Sequence, residues 1–105
     1  MRNSFDLRIG NYTWRVDFLD KKDDLIIGCD GKTFYNDFRI VVRNDLNDTA
    51  TQIVIRHEVV HALMCTQGRW YQKNFNIEDI CEFISFRFEE LKQIDELIYQ
   101  NLIGD

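Results

Sequence analysis

The apolar residues of this chain change their spacing near residue 45, and the change decides the fold class. Before it, β-branched and aromatic side chains recur in short alternating runs; after it, apolar residues fall at steps of three and four. That order predicts an α+β protein, with an N-terminal antiparallel sheet of three to four strands packed on two helices. The clearest strand covers residues 11–19, where Tyr12, Trp14, Val16 and Phe18 alternate with Thr13, Arg15 and Asp17, so that one face can be buried. Residues 25–29 read as a short strand before the turn Asp30-Gly31. Residues 33–35 and 37–43 follow, the latter rich in branched side chains.

The first helix is expected from Thr49, because Thr49-Ala50-Thr51-Gln52 has capping-box spacing, to about Gln67 ahead of Gly68. The second begins near Asn76, whose side chain can accept from the amides of Glu78 or Asp79. Ile77, Ile80, Ile84, Leu91, Ile94 and Ile98 then carry an apolar stripe to about Leu102. The chain has no proline, which leaves glycine and polar caps as its helix stops.

At 105 residues and 45% hydrophobic content, one core and a single domain over residues 1–105 are expected. A net charge of −5 repels polyphosphate and anionic lipid, so neither nucleic acid nor a membrane surface is an expected partner. No stretch approaches the roughly 20 apolar residues of a bilayer span, and the N-terminal segment lacks the apolar core of a signal peptide. Cys29, Cys65 and Cys81 are odd in number and far apart, which fits reduced thiols in a cytoplasmic protein.

The chemistry is concentrated in His57-Glu58-Val59-Val60-His61. On a helix, residues four apart share a face, so both imidazoles can reach one metal ion while Glu58, beside them, acts as general base on a water. Random placement of two histidines and a glutamate in this pattern has odds on the order of one in a thousand, so chance is a poor explanation. Ile53, Val54, Ile55, Val59, Val60, Ala62, Leu63 and Met64 surround the motif, as expected of a largely buried active-site helix.

A catalytic zinc needs a third protein ligand and an open position, and the chain has no further histidine. Glu78 is the acid expected to serve, since the 16 residues between His61 and Glu78 suffice to finish one helix and bring the next back against it. Glu82, one turn on, is placed to accept from the other nitrogen of a ligand imidazole and fix its orientation. Tyr71 is the nearest sequence neighbour able to donate to an oxyanion, with Arg69 and Tyr35 as alternatives. The strand over residues 38–43 could run along the cleft and pair with an extended substrate, or lie in the sheet interior. Cys65 lies roughly 12 Å along the axis from His57, too far to share its ion, and all three cysteines read as small buried hydrophobes.

His57-Glu58-x-x-His61 followed by Asn76-Ile77-Glu78-Asp79-Ile80-Cys81-Glu82-Phe83 resembles a compact gluzincin-type zinc metallopeptidase, most closely the small phage-type proteins grouped with the ImmA/IrrE metallopeptidases. The resemblance covers about 35 residues. It implies a minimal zincin-like fold, Zn²⁺ as cofactor, Glu78 as third ligand and Glu82 as support for a histidine. It also implies hydrolysis of a peptide bond in a protein or peptide substrate. The rival expectation keeps the zinc but not the chemistry: a catalytically silent, zinc-stabilised phage or prophage regulatory module that sequesters another protein.

Overall fold

The computed structural model describes residues 2–66 and 76–103. The chain runs β1 (Phe5–Ile9), β2 (Tyr12–Leu19), β3 (Gly31–Phe34), β4 (Arg39–Arg43), α1 (Asp48–Thr66) and α2 (Ile77–Leu102). The protein is therefore α+β, a four-stranded sheet followed by two helices. Strand order is β1-β2-β4-β3. The outer pairs are antiparallel, and the central pair, β2 with β4, is parallel. The parallel pair arises because the chain crosses over after β2 and returns as a hairpin whose second strand docks inside.

β1 lies ahead of the strands read from the sequence, yet Phe5, Leu7 and Ile9 alternate with Asp6 and Arg8, and Leu7 and Ile9 are buried. A two-residue turn joins it to β2, with Gly10 at φ 61 in its first position, a conformation that glycine adopts without strain. Residues 25–29 form turns instead of a strand. The Asp23 carbonyl accepts from the amides of Ile26 and Ile27, and the Ile26 carbonyl from that of Cys29; local bonds to Asp23 have replaced a ladder.

Trp14, Val16 and Phe18 of β2 and Ile40 and Val42 of β4 face Ile55, Val59, Ala62 and Leu63 of α1, and Phe83, Ile94 and Ile98 of α2 complete the cluster. The α1 cap is Asn47, two residues earlier than expected. Its Oδ1 accepts from the amide of Ala50 at 2.8 Å, while the Thr51 hydroxyl donates to its carbonyl at 2.7 Å. Gln52, expected to close a capping box, donates to Asp95 of α2 instead. At α2 the capping box is present: Asn76 Oδ1 accepts from the Asp79 amide, and Asp79 accepts from that of Asn76.

The apolar stripe of α2 packs as expected from Ile84 onward, with Ile84 and Leu91 partly buried against the core, and departs from expectation in its first turns. Phe83, Ile94 and Ile98 are buried, but Ile77 and Ile80 are 77% and 47% exposed. These residues share one face of the helix, and the core covers that face from Phe83 onward. Arg56 fixes the C-terminal half to α1 by donating to both Asp95 oxygens at 2.6 and 2.8 Å. Among the described residues, no helix is long and apolar enough to cross a membrane.

Candidate metal centre

α1 carries the two imidazoles on an exposed face and Glu58 on a buried one. Four residues apart, the rings of His57 and His61 meet edge-on with centroids 4.9 Å apart and Nε2 atoms separated by 3.2 Å. Two nitrogens bound at about 2.0 to 2.1 Å to a tetrahedral zinc stand about 3.3 to 3.4 Å apart. The pair thus fits a shared ion in both donor type and spacing, with Nε2 of each ring as the ligating atom.

Glu58 is only 7% exposed because β3 lies across it. The Thr33 hydroxyl donates to Glu58 Oε1 at 2.8 Å and stands 3.3 Å from the Glu58 carbonyl oxygen. This approach depends on Gly31. A Cβ there would fall 2.6 Å from Val54 Cγ1 and 3.3 Å from Glu58 Cγ, so any larger residue would lift the strand from the helix. Beside this contact opens a cavity of about 300 Å³ lined by Asp30, Gly31, Ile53, Val54, His57 and Glu58. Asp30 is held at its rim by Arg43 Nη1, 3.1 Å from Asp30 Oδ1.

Tyr35, just beyond β3, is half-buried against the core. Burial first, and then the nearby Cys65 and Glu58, push its phenol above the usual tyrosine range. Burial likewise pushes the half-buried Cys65 thiol up, which disfavours the thiolate a metal would need. Cys29 and Cys81 are exposed instead of buried, and all three cysteines are unbridged.

Of the expected residues, the structure brings His57 and His61 together and places Glu58 in a cavity with His57. Glu78 and Glu82 stand on exposed turns at the start of α2, and neither side chain makes a hydrogen bond or ion pair among the described residues. No three His, Cys, Asp or Glu side chains among the described residues form a metal-holding group. Tyr71 and Arg69 lie outside the described residues. β4 sits between β2 and β3, so the strand with an open edge beside the cavity is β3, not the one over residues 38–43.

Neither the Thr33 contact nor the close approach at Gly31 is marked in the sequence. Asp30-Gly31 carried a turn signal and nothing more, and no pattern links Thr33 to a glutamate 25 residues away. No family model, curated protein or solved structure matches this chain.

Proposed function

We propose that the chain is a zinc-dependent metallopeptidase that hydrolyses a peptide bond in a protein substrate within the cytoplasm. The observation that carries this reading is the 3.2 Å separation of the His57 and His61 Nε2 atoms beside a buried glutamate that lines a cavity. When bound, zinc supplies Lewis-acid polarisation of the scissile carbonyl and activates water at neutral pH. His57 and His61 hold the ion through Nε2. Glu58 takes a proton from the attacking water and delivers it to the leaving amine.

Glu78 is the third protein ligand in this reading. It is exposed, its carboxylate is uncommitted among the described residues, and the positive end of the α2 dipole favours a carboxylate in that first turn. Glu82 orients an imidazole, and a phenol, Tyr35 or Tyr71, donates to the oxyanion. An extended substrate adds to the open edge of β3, where backbone pairing selects for peptide and places the scissile bond near Glu58.

Zinc-loaded protein incubated with a mixed peptide library tests this reading. Cleavage by wild type and its loss in Glu58→Gln, with zinc retained by both, is the expected result; cleavage surviving in Glu58→Gln would remove Glu58 as the base. The regulatory zinc module is the second reading, favoured by the lack of a three-residue ligand group among the described residues. It predicts stoichiometric zinc with no cleavage by either protein.

A further inference from the structure

We infer that Thr33 is a positioning residue for Glu58, selecting which oxygen of that carboxylate faces the reacting water; the inference rests on the metallopeptidase reading. Thr33 pairs with Ile40, which is fully buried, so its side chain shares the sheet face that packs on α1. Its hydroxyl has a single proton and two acceptors within reach, Glu58 Oε1 at 2.8 Å and the Glu58 carbonyl at 3.3 Å. The shorter contact, to the side-chain oxygen, takes the proton.

Glutamate has three rotatable side-chain bonds, and a general base must hold one oxygen within hydrogen-bond reach of the proton it removes. Tethering Oε1 under β3 leaves Oε2 for the cavity that Glu58 shares with His57. The tether is itself fixed, because the Gly31 contact with Val54 sets the height of the strand above the helix. Three features of the β3–α1 contact, the glycine, the hydroxyl and the buried carboxylate, therefore act on one atom of the site. The bond orients the base and touches no substrate, so its removal falls on kcat and leaves KM unchanged.

The test compares Thr33→Val, which keeps the branched shape and loses the donor, with Thr33→Ser, which keeps the donor and loses a methyl. In zinc-loaded protein, Thr33→Val should lower kcat about 10- to 100-fold, the size expected when a group that orients a site residue is removed. KM and zinc content should stay unchanged, and Thr33→Ser should restore most of the rate. Independently of turnover, the ¹³C resonance of the Glu58 carboxyl, assigned by its loss in Glu58→Gln, should move in Thr33→Val and not in Thr33→Ser. If Thr33→Val does not fold, Thr33→Ala provides the same comparison. An active wild type whose kcat is untouched by loss of the hydroxyl overturns the inference alone. A serine variant as impaired as the valine one does so too, because shape and not the donor would then matter. A zinc-loaded wild type that cleaves nothing overturns the metallopeptidase reading and this inference with it.

Discussion

The contact between β3 and α1 and the first turns of α2 both carry residues of the candidate site, but they are held in opposite ways. In the first, Gly31 meets Val54, Thr33 bonds Glu58, and the helix behind them is anchored by the fully buried Ile55, Val59, Ala62 and Leu63. In the second, Ile77 and Phe86 are 77% and 81% exposed, and Phe83 is the buried residue between Ile77 and Ile94 among those described. α2 is secured further along, by Ile94, Ile98 and the Asp95 bonds to Arg56 and Gln52. Packing thus fixes the base and the helix that carries the imidazole pair, whereas the acid expected to complete the ligand set stands on a turn that the core does not grip.

The largest effect that separates the two regions is catalytic. Glu58→Gln should cost turnover on the order of 10²- to 10⁴-fold in a cleavage assay without loss of zinc. Glu78→Ala, by contrast, should weaken zinc binding in a calorimetric titration by more than Glu82→Ala, for which about 10- to 100-fold is expected. Equal zinc affinity in Glu78→Ala and wild type would show that Glu78 is not a ligand.

Next in size is the contrast in packing along α2. Ile98 is 1% exposed, and Ile98→Ala should destabilise by about 2 to 5 kcal/mol in urea unfolding. Ile77→Ala should change stability by no more than about 0.5 kcal/mol. A large loss at Ile77 would mean that the first turn is gripped after all.

Gly31→Val probes the other side. Its branched side chain meets Val54 at once, and overpacking of this kind costs about 1 to 3 kcal/mol. At about 4 to 8 °C per kcal/mol for a domain near this size, the lowered melting temperature would be plain in a thermal scan. Turnover should fall with it as β3 lifts from Glu58.

The smallest effect concerns the clasp between the helices. Hydrogen bonds from Arg56 hold the Asp95 carboxyl below the usual carboxylate range, against an opposing effect of desolvation and with help from Gln52. A folded-state pKa lowered in this way contributes stability above the unfolded value near 3.9, and the contribution fades as pH falls through the lower folded value. The stability difference between wild type and Asp95→Asn should therefore be constant above about pH 5 and shrink below about pH 4. For so exposed a pair its size should stay under about 1 kcal/mol.

What could be read from the sequence follows from how local each signal is. The His57–His61 spacing, the Asn76 cap and the alternation of Trp14, Val16 and Phe18 depend on neighbours within a few residues, and all three are found in the structure. β1 carries an equally local alternation in Phe5, Leu7 and Ile9 and is legible in the same way. The parallel β2–β4 pair is not, because it depends on how a crossover of turns folds back. The face of α2 is legible from Ile84, Leu91, Ile94 and Ile98, but the exposure of Ile77 and Ile80 is not, because it depends on where the core ends. Thr33 and Glu58 meet only because the sheet lies on α1, and a single strand pattern contains no trace of that meeting.

The ion itself provides the most direct test of the two-imidazole centre. Protein purified without added metal and analysed for elemental content should hold one zinc per chain, and a His61→Ala variant, still folded by circular dichroism, should hold none. A wild type free of any stoichiometric divalent ion, with a melting temperature unmoved by chelator or by added zinc, would contradict the assignment of His57 and His61 as ligands.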